Sequence, residues 1–196
     1  MYMTPPGGSI KLLGHFVAVD RLHKAVVLAI RGTYTLSSLQ IDAAAYSKPF
    51  LGGVGVAHSG MAKHSDFLWD HDKDTILEAL QKNPGYDFII SGHSLGAGKA
   101  ALLALQLNYD AFFAKQEDES LKRVKVKCFA FAPPPVFFQT DNTKSTVLKV
   151  KDAIANTTAF IHEKDCVPFM SIDAVRRLAN TTTLVDATTW RKPNHA

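Results

Sequence analysis

The sequence predicts an α/β fold, a mostly parallel central sheet flanked by helices, and three observations carry that expectation. Short β-branched apolar runs alternate with longer stretches of helical periodicity along the chain. The run Phe88-Ile89-Ile90 is uniformly apolar, as suits a strand covered on both faces of a parallel sheet. The chain has 196 residues, 46% hydrophobic and 20% charged, enough for one globular domain with a continuous core and too few for a second.

Taken in order, residues 15–19 (HFVAV) and 25–30 (AVVLAI) read as strands joined by the polar turn DRLHK, and Arg31-Gly32-Thr33 closes the second. Ser37 or Ser38 caps a short helix through Ala45, Lys48-Pro49 ends it, and Gly52, Gly53 and Gly55 read as loose loop. From Gly60, the residues Leu68, Trp69, Ile76, Leu77 and Leu80 recur at helical spacing until Asn83-Pro84-Gly85 stops the pattern. After the strand at 88–90, residues 97–107 are rich in alanine and leucine and predict a buried helix, followed by the charged connection KQEDESLKR. Residues 124–132 (VKVKCFAFA) form a strand ended by three prolines, and 159–162 another. A helix over 171–179 and a strand within 181–190 complete the reading.

Composition excludes several functions. The net charge of +4 comes from lysines scattered among acids rather than gathered into a stripe, so no nucleic-acid partner is expected, whereas an anionic lipid surface suits the charge. Cys128 and Cys166 lack zinc-ligand spacing and read as free thiols; no metal or cofactor is expected. The opening MYMTPPGG lacks the apolar core of a signal peptide, and no run approaches the ~18 apolar residues of a membrane span. The chain reads as soluble, cytoplasmic or membrane-peripheral rather than secreted.

The chemistry concentrates at residues 92–96, GHSLG, where a serine stands between two glycines at a strand-to-helix junction. G-x-S-x-G in that setting is the sharp turn that lifts a serine hydroxyl above a sheet, and the small residues two before and two after let strand and helix pass closely. Serine is a weak nucleophile, so it needs a base, usually histidine, a carboxylate to orient that base, and donors for the oxyanion. The Leu95 N–H, following Ser94 at a helix N-terminus, is the first donor, and the Arg31-Gly32-Thr33 loop stands where the second is expected.

AVVLAIRGT, AHSGM (57–61), GHSLGAGKAALLAL, CFAFAPP and FIHEKDCVPF occur in the order of corresponding segments of class 3 lipases, and the chain resembles most the catalytic domain of their diacylglycerol-lipase branch. The resemblance spans roughly residues 16–172 and implies an α/β-hydrolase fold and hydrolysis of acyl-lipid esters. It implies that Ser94 is the nucleophile, that Thr33 is an oxyanion residue, and that Asp165, in Asp165-Cys166-Val167-Pro168, is the acid. Asp165 is also favoured by chain order, since it follows an apolar strand downstream of the serine; Asp87 lies at the wrong end of the nucleophile strand, and Asp141, Asp152 and Asp173 read as solvated surface.

Among the histidines, His93 reads as support of the turn, His58 as structural near a sheet edge, and His162 as packed or capped on its strand. His15, His23, His64 and His71 precede the serine and read as turn or helix-surface residues. That leaves His195 as the candidate base. The alternative is a partial catalytic domain whose histidine lies beyond Ala196, because the resemblance implies a longer interval after the acid. Residues 34–50 are expected to form a mobile, lipid-opened cover over the serine that holds the short helix through Ala45. Phe137 and Phe138 stand either for an acyl groove or for core. Two readings compete with the ester hydrolase of di- or monoacylglycerol type: a lipase-like module that binds lipid or a partner without turnover, and another serine esterase, thioesterase or peptidase on the same fold.

Overall fold

The computed structural model describes residues 2–3, 14–32 and 47–169. The expected helices over 37–45 and 171–179 and the strand within 181–190 lie outside those residues, as do most of the proposed cover and the positions Thr33 and His195.

The larger of two sheets has six strands in the order β1 (Tyr2–Met3), β2 (His15–Asp20), β3 (Ala25–Ile30), β6 (Asp87–His93), β7 (Val126–Phe131) and β9 (Thr157–Phe160). The β1–β2 and β2–β3 pairs are antiparallel, while β3, β6, β7 and β9 run parallel. The register aligns the C-terminal ends of the four parallel strands: Ile30 pairs with Gly92, His93 with Phe131, and Phe131 with Phe160. Crevices at that edge are where open α/β sheets place their chemistry.

Helix α1 (Ser59–Gln81) leads into β6, and α2 (Leu95–Tyr109) leaves it. Leu68, Trp69, Ile76 and Leu80 of α1 are buried at helical spacing and share one core with Val26, Leu28, Phe88, Ile90 and Val126 of the sheet. Each such side chain contributes ~1.5–3 kcal/mol when fully withdrawn from water. The Nδ1 of buried His58 accepts from the Met61 N–H at 3.3 Å, which caps α1 and gives that histidine its structural role. The buried hydroxyl of Ser65 lies within hydrogen-bond distance of the carbonyls of both Met61 and Lys99, tying α1 to α2.

The structure extends and corrects the sequence reading. The strand expected at 88–90 runs from Asp87 to His93, and the helix expected at 97–107 from Leu95 to Tyr109. The strand expected at 124–132 is shorter, because the Val124 N–H turns back to Leu121 and Ala132 takes a left-handed φ of 51°. The strand expected at 159–162 lies at Thr157–Phe160: its last ladder partner is Phe131, and beyond it His162 is exposed in a loop rather than packed. A second, antiparallel sheet of β4 (Ser47–Phe50), β5 (Gly55–His58) and β8 (Phe137–Gln139) was not expected. Residues 47–50 of the proposed cover therefore belong to a sheet. Phe137 packs edge to face on Phe50, centroids 6.0 Å apart, against a second cluster of buried side chains that includes Phe50, Met61, Leu95 and Leu102, while Phe138 is exposed. Helix α3 (Glu119–Lys122), within the charged connection, and α4 (Lys144–Ile154) complete the described elements.

His15 departs furthest from expectation. Read as a surface residue, it is 5% exposed, with Nε2 2.6 Å from Asp72 Oδ2, while His71 Nδ1 lies 3.0 Å from Oδ1. Burial pulls the Asp72 carboxyl upward, but hydrogen bonds from His15 and His71 outweigh it and hold the group below the usual carboxylate value.

Candidate active site

Ser94 follows the last residue of β6 and precedes the first of α2, with φ 54° and ψ −125°. A left-handed φ is costly for any residue with a Cβ, on the order of 1–3 kcal/mol, and persists only where the surroundings enforce it. Here they do. A Cβ on Gly92 would stand 2.4 Å from the Gly96 carbonyl carbon, and one on Gly96 would stand 2.3 Å from the Ile30 oxygen, both backbone atoms that cannot swing aside. The junction is pinned by Ser94 N–H donating to the Phe131 carbonyl at 2.9 Å and Gly98 N–H donating to the Ser94 carbonyl at 3.1 Å.

This geometry has a chemical consequence for the serine. A serine at a helix N-cap ordinarily bends its hydroxyl back onto the first-turn amides, a conformation that requires extended φ and ψ. Ser94 is in the N-cap position without that backbone, and its side chain makes no capping bond. The hydroxyl is thus left available, beside a helix N-terminus whose first amides lack intrahelical partners and whose dipole favours negative charge. The Leu95 N–H is one of those amides.

The loop after β3 abuts this turn. A Cβ on Gly32 would meet the His93 oxygen at 2.6 Å and the Ser94 Cβ at 3.6 Å, so the chain passes the serine immediately before Thr33. The Arg31 N–H donates to the Gly14 carbonyl at 3.0 Å, anchoring that passage to the start of β2.

On the other side, β7 and β9 carry the chain to Asp165. One of its carboxylate oxygens accepts from the Val167 N–H at 3.0 Å, and its own N–H donates to the His162 carbonyl at 2.9 Å. This turn leaves the second carboxylate oxygen for another donor. His93, Phe131, Ala132, Ala159, Phe160, Ile161, His162 and Asp165 line a cleft of about 580 Å³ at the aligned strand ends. Ser94 is not among its walls, but the adjoining His93 is. His93, expected to support the turn, ends β6, pairs with Phe131 across the sheet and borders the cleft. Phe131 and Phe160 stack with centroids 4.7 Å apart and an interplanar angle of 12°, yet both stay 42–45% exposed.

Sequence reasoning missed these aromatic walls. Their signal is present: Phe131 and Phe160 each end a strand at the serine's edge of the sheet, but only the register shows that they meet. Cys128 is buried in β7, where desolvation pushes its thiol up to about 12; Cys166, beside the acid, is exposed, and both are free.

The sequence compares closely with known proteins in the same region. The family model of lipase (class 3) matches residues 27–174. A secreted mono- and diacylglycerol lipase A of Penicillium cyclopium is 29% identical over 154 residues, covering 78% of this chain and 45% of the relative. Diacylglycerol lipase-beta of Mus musculus is 35% identical over 130 residues, 62% of this chain and 17% of the relative. A fungal lipase crystal structure superposes with a TM-score of 0.67 at 26% identity, covering 89% of this chain and 58% of the other. The chain spans less than half the length of these two relatives. With the matched model covering three strands of the parallel sheet in full, most of a fourth, the serine turn and the Asp165 loop, the chain belongs to the class 3 lipase family and has its α/β-hydrolase fold.

Proposed function

We propose that this chain forms the catalytic part of a serine carboxylic-ester hydrolase acting on acylglycerols, mono- or diacylglycerols foremost. The observation that carries the proposal is the left-handed Ser94, at a helix N-terminus, with its hydroxyl not spent on capping. Its oxygen attacks the ester carbonyl as a base takes the proton. The N–H of Leu95 and Thr33 stabilise the oxyanion, and Asp165 holds the imidazole in the useful tautomer. The glycerol oxygen leaves with the proton from the imidazolium, and water then releases the fatty acid from the acyl-serine. No step requires a metal. His195 is the only histidine after Asp165 in this sequence and fills the base's place if the base is in this chain. Its loss then cripples turnover, whereas a silent His195→Ala assigns the base to sequence beyond Ala196.

The substrate class is supported by the named activities of the relatives and by the apolar cleft mouth, where Phe131, Phe160 and Ile161 are 42–51% exposed. Exposed aromatics at a mouth, on a molecule of net charge +4, also suit peripheral contact with a lipid surface. Among the described residues no helix is long and apolar enough to cross a membrane. The experiment is fluorophosphonate labelling paired with hydrolysis of a dispersed diacylglycerol. Ser94→Ala is expected to lose labelling and several powers of ten in turnover while unfolding at an unchanged temperature. Absent labelling of the folded wild-type chain would favour a lipid-binding module instead.

A further inference from the structure

Outside the serine site, three donors converge where β2 meets α1. His15 opens β2, and His71 and Asp72 are consecutive in α1. The Asp72 carboxylate is 1% exposed, and its two oxygens are divided between two imidazoles, His15 Nε2 at 2.6 Å and His71 Nδ1 at 3.0 Å. The rings meet edge to face, centroids 6.0 Å apart, so the two nitrogens turn toward the carboxylate rather than toward each other. All three donor atoms lie within 4.8 Å of one another. A buried carboxylate needs its oxygens engaged, and here both are engaged by imidazole nitrogens, which are themselves metal-ligand atoms.

We propose that His15, His71 and Asp72 bind a divalent first-row metal ion of the zinc class, which clamps β2 to α1. Zinc takes imidazole nitrogen at about 2.0–2.1 Å and carboxylate oxygen at about 2.0–2.2 Å. Donors around one such ion stand roughly 3–4 Å apart, so the present cluster needs side-chain shifts of about 1 Å or less. Two nitrogens and one oxygen suit zinc, nickel or copper and are poor for magnesium or calcium, which prefer all-oxygen shells. Three protein donors leave a fourth position for water, and the His71 side chain, 37% exposed, marks the way in. The ion would act at a distance from the ester chemistry. His15 is paired with Ile30, and Ile30 with Gly92, so the clamp steadies the strand on which the Arg31-Gly32 passage is built.

The test is thermal unfolding of the chain in EDTA, in about 100 μM zinc chloride and in magnesium chloride at the same concentration. Zinc at about ten times its dissociation constant should raise the midpoint by roughly 3–5 °C, and magnesium should leave it unchanged. His71→Ala should abolish the zinc increment whatever it does to the metal-free midpoint. If that variant does not fold, His71→Gln, which retains a hydrogen-bond donor, replaces it. The exposed thiol of Cys166 is the competing zinc ligand, so Cys166→Ser must keep the increment. Cobalt bound in place of zinc should show no thiolate charge-transfer band. No upward shift with zinc, a shift surviving the His71 variant, or one lost with Cys166 would each overturn the proposal.

Discussion

Asp72 and Asp165 are both carboxylates set to meet an imidazole, and the molecule treats them in opposite ways. Asp72 is 1% exposed, and both of its oxygens are already engaged by histidines on two different elements. Asp165 is half-buried in the wall of a cleft, with a backbone N–H on one oxygen. A buried carboxylate with both oxygens engaged is rigid and contributes to holding β2 on α1; its oxygens are committed to the two imidazoles, or to an ion shared with them, rather than to the ester chemistry. A carboxylate fixed through one oxygen is oriented but still able to take a partner, which suits a residue that steadies a base. The same pair of residue types thus serves stability or chemistry according to how many donors the backbone and core have already assigned.

The comparison breaks first at Asp165. Asp165→Asn keeps the size and the acceptor for Val167 but offers an amide donor where the imidazole N–H needs an acceptor, favouring the wrong tautomer. Turnover of a short-chain diacylglycerol is expected to fall by about three to four powers of ten, with the unfolding temperature unmoved. Undiminished turnover would show that the open oxygen of Asp165 serves no base, and the contrast with Asp72 would lose its chemical half.

Asp72→Asn should do the reverse. It removes the charge that receives two imidazoles in the core, and the expected cost is about 2–3 kcal/mol in denaturant unfolding at pH 7, with turnover per folded molecule affected far less than by Asp165→Asn. The pH dependence follows from the sign of the shift. The folded carboxyl titrates below its ordinary value of 3.8, so the unfolded chain binds the proton more readily. The stability from this group is therefore present above about pH 4 and is lost as pH falls through the folded value. Wild-type chain should lose this increment in acid and Asp72→Asn should not, so their stability curves converge at low pH. Curves that stay parallel down to pH 2 would separate the pair from acid stability.

What the sequence made legible follows the same division between local and distant causes. The serine turn is written in five consecutive residues, because Gly92 and Gly96 answer to sterics within their own junction. Helix α1 was readable from its period, and the rows of β3, β6 and β7 from their apolar runs. The second sheet was not, because Ser47-Lys48-Pro49-Phe50 and Gly55-Val56-Ala57-His58 have no strand pattern of their own and become strands by pairing with each other and with β8. His15 was misread for the same reason: its partner stands on a helix far along the chain, and a lone histidine before an apolar run looks like a turn residue. Helix α4 has no clear apolar period in the sequence, because Lys149 separates Leu148 from Val150 and Lys151 follows at once, blurring the apolar face. The acid could be chosen by order along the chain. Its cleft, made by residues that end three different strands, required the register.

Asp87 supplies the third case and the smallest effect. It begins the very strand that ends at His93, just before Ser94, but at the opposite edge of the sheet, where its Oδ2 lies 2.6 Å from the Lys127 Nζ of the neighbouring strand. Both side chains are about a third exposed, 29% and 39%, so water and salt screen the pair and the entropy of holding a lysine offsets much of the attraction. Asp87→Asn is expected to cost about 0.5 kcal/mol at low ionic strength and to leave hydrolysis unaltered, and the difference should vanish in about 1 M sodium chloride. Urea unfolding at the two salt concentrations measures it. If Asp87→Asn cost as much as Asp72→Asn and the loss persisted in salt, exposure would not be what separates these carboxylates. The number of engaged oxygens would then have to be weighed afresh against their burial.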